Sequence, residues 1–180
     1  MLEPKDARLV FKLMQSFDIF VLNTTEFTQA IKESGMPREV NAIRKKVQDV
    51  WLANRSLIDQ FIAHEGPALS EEKKEILLEW KRAINDDFVC ITYCDDYTVM
   101  VQYGSFSPMY AVLGLTEDFK SIIPMVPPFL IKTTLLPFKG KIIWNGLCES
   151  YRIVFGPNMS QEFSDEYRQA SEQNLITTSL

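Results

Sequence analysis

The chain has 180 residues, 46% hydrophobic and 24% charged, enough apolar material for a buried core and too little bias for a disordered or fibrous protein. Its net charge is −5, and the excess is confined to one half: residues 1–85 carry 13 basic and 13 acidic side chains, residues 86–180 carry 6 and 11. An acidic second half repels phosphate backbones, which argues against nucleic-acid or anionic-membrane binding there.

Residues 5–22 place Leu9, Val10, Leu13, Met14, Phe17 and Val21 at steps of three and four, the pattern of an amphipathic helix. Charges at Asp6, Arg8, Lys12 and Asp18 interrupt this stretch, so it reads neither as a signal peptide nor as the roughly 20 apolar residues of a membrane span. Asn23, Thr24 and Thr25 offer a stop and a new N-cap for a short helix over 26–32, ended by Gly35 and Pro37.

Residues 38–64 predict one long helix. Val40, Ile43, Val47, Val50, Leu57 and Phe61 form a heptad-like seam that requires a partner helix, from this chain or a second copy. Asn54 interrupts the seam; there a polar residue either sets register and partner number or faces the end of the core. Arg38, Arg44, Lys45, Lys46 and Arg55 lie on or near this helix, as a solvated face or as a basic stripe for nucleic acid or an acidic partner. Gly66 and Pro67 then break the helix, and Ser70 with Glu71 and Glu72 opens another that buries Ile76, Leu77, Trp80 and Ile84.

Near residue 85 the period changes from 3.6 to 2. Residues 88–93 and 98–103 predict a hairpin about Asp95 and Asp96, and 109–113 a third strand. Thr116 caps a short helix over 117–123. Residues 128–156 read as three strands separated by Lys139-Gly140 and Asn145-Gly146, the second pair being the stronger turn signal. Ser160 caps a last helix whose Phe163, Tyr167 and Ala170 share a face, and the tail after Asn174 reads as frayed. The expected class is α+β: a helical region over 1–85, then over 86–180 a mainly antiparallel sheet of about six strands with an inserted short helix and a C-terminal helix.

Residues 110–115 (YAVLGL), 135–143 (LLPFKGKII) with Asn145-Gly146, and Phe155-Gly156 with Glu166, Tyr167 and Arg168 resemble a pattern found in bacterial proteins of uncharacterised function. The resemblance covers the second half of the chain. It implies a shared fold of that half and a bacterial origin, and brings no catalytic residues with it.

Chemistry-bearing residues are scattered. His64 is the only histidine, too few ligands for zinc, and reads as a cation at a helix C-terminus. Cys90 and Cys94 on one strand stand about 13 Å apart at 3.3 Å per residue, and with Cys148 they make an odd, small set that points to a reducing, cytoplasmic setting. Asp86-Asp87 and Asp95-Asp96 sit at opposite ends of one strand and read as turn residues; Lys139 and Lys141 flank a turn. No G-x-S-x-G, Walker loop, dinucleotide glycine set or His-Glu-x-x-His occurs. Aromatic residues, Trp144 among them, concentrate in the sheet half and suit a core, a pocket or an interface. The reading that results is a non-enzymatic interaction or regulatory protein, without cofactor or metal, that associates through its long helix with a protein partner or a second copy. Asn54, Arg44, Lys45, Lys46 and Trp144 are its interaction residues. The alternatives are an enzyme or small-ligand binder with a pocket between the halves, and nucleic-acid binding through the basic helix face.

Overall fold

A computed structural model describes residues 1–180, the side chain of Val154 excepted. The chain divides into two compact units, Pro4–Lys81 and a second made of Met1–Glu3 with Arg82–Leu180.

The first unit is helical. α1 (Pro4–Leu22) buries Ala7, Val10, Leu13, Met14, Phe17 and Val21, the face its periodicity predicts. α2 (Thr25–Ser34) begins where Thr24 accepts a hydrogen bond from the Phe27 amide at 3.2 Å. The expected long helix is two: α3 (Val40–Ala53) and α4 (Ser56–Glu65). Asn54 makes the break. Its side-chain oxygen accepts from the Ser56 hydroxyl at 2.7 Å and the Ser56 amide at 3.3 Å, and its carbonyl accepts from the Leu57 amide at 3.1 Å. A short polar side chain that bonds its own backbone offers an alternative to continuing the helix.

The heptad-like spacing survives this break because both pieces lie on α1. Val47, Val50 and Trp51 of α3 and Leu57, Ile58 and Phe61 of α4 are buried. Phe17 of α1 meets Trp51 at 5.8 Å, Phe61 at 5.3 Å and Trp80 at 6.4 Å between ring centroids. The seam therefore finds its partner helix within the chain, apart from Val40, which is exposed. α5 (Glu71–Glu79) completes the unit; Trp80 follows it in a short 3₁₀ turn, and Ile84 belongs to the first strand instead of to this helix.

The second unit is a closed barrel. Its strands are β1 (Ile84–Tyr93), β2 (Thr98–Gln102), β3 (Met109–Leu113), β4 (Phe129–Phe138) and β5 (Lys141–Val154), with β6 (Ile176–Thr177) beside them. β1 pairs antiparallel with β2 and with β4, β2 with β3, and β4 with β5. A parallel pairing of Val112 and Leu113 with Ile142 and Ile143 joins β3 to β5 and closes the ring. The order β4-β1-β2-β3 is a Greek key. The α+β class stands: four of the six pairings are antiparallel, and the two parallel ones, β3 with β5 and β3 with β6, make the sheet mixed. Parallel closure joins strands distant in sequence and leaves no turn to mark it.

Closure explains why the strands are apolar on both faces. By register Phe88, Cys90, Met100, Tyr110, Phe129 and Ile131 share the interior. Val89, Val99, Val101, Met109 and Leu130 share the outer face, where Phe163 of α7 (Pro157–Glu172) covers them and Tyr167 and Ala170 pack alongside. α7 starts from Pro157 after Gly156; the Ser160 hydroxyl donates to the Phe155 carbonyl instead of capping. α6 (Phe119–Ile122) is capped by Asp118, not Thr116. The tail is not frayed: Ile176 and Thr177 pair parallel with Met109 and Tyr110, along the β3 edge that β5 leaves open.

Residues 128–156 form two strands, not three. Lys139 (φ +50°) and Gly140 (φ +71°) make the two-residue turn between Phe138 and Lys141. Asn145-Gly146 lies inside β5, where Trp144 faces Leu135 and Cys148 faces Thr133. Residues 145–147 thus oppose Thr134 alone, a bulge held by the Leu147 amide on the Asn145 side chain at 3.1 Å and by the Thr133 hydroxyl on the Leu147 carbonyl at 2.7 Å.

Candidate functional site

The barrel brings two turns together over β3. In the β1–β2 turn the Cys94 amide donates to the Tyr97 carbonyl at 2.9 Å, which holds Asp95 and Asp96 out in solvent. The β4–β5 turn carries Gly140 and leads into Lys141. Between them lies a cleft of about 320 Å³, lined by Asp96 and Tyr97 on one side, Ala111 and Leu113 on its floor, and Gly140 and Lys141 on the other. A second hollow of about 230 Å³ shares Asp96 and Tyr97 and continues toward Tyr93, Asp118, Phe119 and Lys120.

Hydrogen bonding and burial set the charge states. Hydrogen bonding from the Ser121 side chain, and then from its amide at 2.7 Å, holds the Asp118 carboxyl below the usual range, so it is an anion at neutral pH. Burial pushes the Tyr93 phenol up, and it donates to the Ile123 carbonyl at 2.7 Å. Burial also raises Tyr97, with Cys94 beside it. Tyr167 is pushed up to about 12, first by its hydrogen bond with the Cys94 sulfur at 3.4 Å. These phenols stay protonated at neutral pH. The cleft thus presents the Asp96 carboxylate, the Lys141 ammonium, the Tyr97 phenol and an apolar floor. No family model matches the chain, and no curated protein or solved structure is similar to it.

The sequence-derived residues go elsewhere. Asn54 ends α3, and its side-chain nitrogen donates to Glu26 at 3.1 Å. Arg44 stands 3.7 Å from Asp18, whose carboxyl is nevertheless raised to about 6 because its burial outweighs the pairing. Lys45 and Lys46 are half-buried on α3. Arg55 turns inward: it lies over the Trp51 ring at 5.5 Å and donates to the Lys81 carbonyl at 2.9 Å. The basic stripe is therefore divided among different partners. Trp144 is buried, edge-on to Phe119 at 4.8 Å. His64 stacks on Phe20 at 5.5 Å. Cys90 lies inside the barrel, where burial raises its thiol, and Cys94 lies outside under α7. Asp86 accepts from the Gln102 side chain at 2.6 Å and Asp87 from the Tyr151 hydroxyl at 2.7 Å.

Among the described residues no group of three or more His, Cys, Asp or Glu is placed to hold a metal ion, and no helix is long and apolar enough to cross a membrane. Sequence reasoning treated Asp96 and Lys141 as turn residues and passed over Tyr97. The missing signal was spatial: two turns 43 positions apart become neighbours only once the parallel pairing closes the ring.

Proposed function

We propose that the chain is a non-enzymatic binding protein whose barrel takes an uncharged, hydroxyl-rich ligand, an oligosaccharide in class, in the cleft over β3. The observation that carries this reading is the convergence of the β1–β2 and β4–β5 turns on one concave, mixed polar and apolar surface. A five-stranded Greek-key barrel is also the architecture of oligonucleotide- and oligosaccharide-binding folds, which hold ligands on strands two and three between these same loops. That support is architectural analogy alone.

Charge chooses between the two ligand classes. Around the two hollows Asp95, Asp96 and Asp118 are balanced by Lys120, Lys141 and the Met1 ammonium, so the sign is set by the unit as a whole. The whole barrel unit carries seven basic and twelve acidic side chains, so a polyanion meets repulsion. Carboxylates and phenols suit hydroxyl groups, and Tyr97 supplies a ring at the wall. The outer face of β1 and β2 is closed by α7, which confines a ligand to the rim.

The test is a titration of the isotope-labelled chain with neutral gluco-, chito- and xylo-oligosaccharides, followed by amide shifts. Movement confined to residues 94–97, 111–113 and 139–142, weakened by Asp96→Ala, is expected. Silence across the panel, or tight single-stranded oligonucleotide binding that falls steeply with salt, would refute the proposal.

A further inference from the structure

The helical unit holds a second concave surface, independent of the barrel. α2 and α3 form an antiparallel hairpin, and between them runs an open groove of about 610 Å³. Its floor is Ala30, Val50 and Ala53. Glu26, Glu33 and Asp49 stand on its rim against a single Lys46. One end is pinned by the Asn54 side chain donating to Glu26 at 3.1 Å. The connection at the other end exposes two large apolar side chains, Met36 at 55% and Val40 at 71%. Val40 is the one residue of the heptad-like spacing left wholly outside the core.

We infer that this groove docks a cationic amphipathic helix of a partner protein. Small floor residues let a helix approach closely, and the groove extends along a ten-residue helix, α2, about 15 Å long at 1.5 Å per residue. Two to three turns of a partner would fill it, in the manner of helix-in-groove recognition. The rim selects the sign of the partner: three carboxylates against one ammonium favour Lys or Arg flanking the partner's apolar stripe and repel an acidic helix. A second copy of this unit is a poorer occupant, since it would bring the same acidic rim to face its own.

The probe is a synthetic amphipathic peptide of roughly 14 residues made of Leu and Lys, with a Leu and Glu counterpart, titrated into the full-length isotope-labelled chain. The Lys peptide is expected to move amides of 25–34 and 46–54, and the Glu peptide to move none. Glu33→Lys with Asp49→Lys changes two exposed positions, so the fold is retained, and binding should weaken roughly tenfold or more. Ala30→Tyr, which fills the floor, should weaken it without altering charge. Equal binding of both peptides, shifts centred on the barrel, or indifference to both sets of substitutions would overturn the inference.

Discussion

The helical unit and the barrel bury similar side chains through contacts of very different range. In the helices, Phe17 gathers Trp51, Phe61 and Trp80, and each element announces itself by its own spacing of apolar residues. In the barrel, Leu113 reaches Ile143, Cys90 reaches Phe129 and Met109 reaches Ile176, pairings that no local pattern encodes. One unit is therefore most sensitive to loss of a side chain at its hub. The other is most sensitive to backbone that must pass through a tight place.

Two substitutions set these sensitivities against each other. Phe17→Ala removes a ring that is 1% exposed and touches three other aromatic residues. It should cost about 3–5 kcal/mol, seen as faster amide exchange throughout α1, α3 and α4. An exchange pattern unchanged in α3 and α4 would deny Phe17 its place as the hub. Gly114→Ala tests the barrel. A Cβ there would stand 1.9 Å from the Glu117 carbonyl oxygen, so the backbone between β3 and α6 has to move. A loss of about 3 kcal/mol in unfolding free energy, read from a lowered denaturant midpoint, is expected, together with altered shifts in the neighbouring hollow that Gly114 lines.

Charge separates the two units as well. Asp18 titrates near 6 in the folded protein against 3.8 for its ordinary value, because burial disfavours its anion more than Arg44 favours it. A raised carboxyl means the folded state holds the proton more tightly than the unfolded state does. Its ionisation therefore costs stability, a cost absent below about pH 4, growing between 4 and 6, and complete above 6. Asp18→Asn should stabilise the helical unit by about 3 kcal/mol at pH 7 and by well under about 1 kcal/mol at pH 4. Urea melts across that range measure it; a gain independent of pH would mean that packing, not ionisation, is responsible. In the barrel Asp118 moves the other way, held down by hydrogen bonding from the Ser121 side chain and then its amide.

How much was legible follows the same division. The face of α1, the existence of α2, the β1–β2 hairpin and the limits of β3 follow from periodicity and turn residues, because the information is local. The break at Asn54 was misread since α3 and α4 both pack on α1, so the apolar spacing continues where the helix does not. Ring closure, the pairing of β6 and the cleft over β3 were out of reach, since each depends on strands that meet only in the finished barrel. The interaction residues were chosen by charge, by interruption of a pattern and, for Trp144, by aromatic character, and the fold pairs Arg44 with Asp18, Asn54 with Glu26 and Trp144 with Phe119 inside the chain. Asn54 and Lys46 line the groove between α2 and α3.

The two Gly-containing pairs in residues 128–156 show the limit of a local rule most directly. Asn145-Gly146 has the better turn composition, yet the turn is made by Lys139-Gly140, with Lys139 held at φ +50°. A left-handed conformation costs an ordinary residue about 1–2 kcal/mol and asparagine less. Lys139 recovers part of this through its ammonium, 5.3 Å from the Phe138 ring centroid, a contact of about 0.5–1 kcal/mol at an exposed site. Lys139→Asn exchanges one term for the other, so the net gain should be under about 1 kcal/mol, a rise of at most a few degrees in Tm. Lys139→Asn combined with Phe138→Leu separates the terms: with the ring gone in both backgrounds, asparagine should show its full backbone advantage. A lysine still preferred over asparagine without the ring would mean that neither term governs the turn, and that the register of β4 against β5 alone places it there.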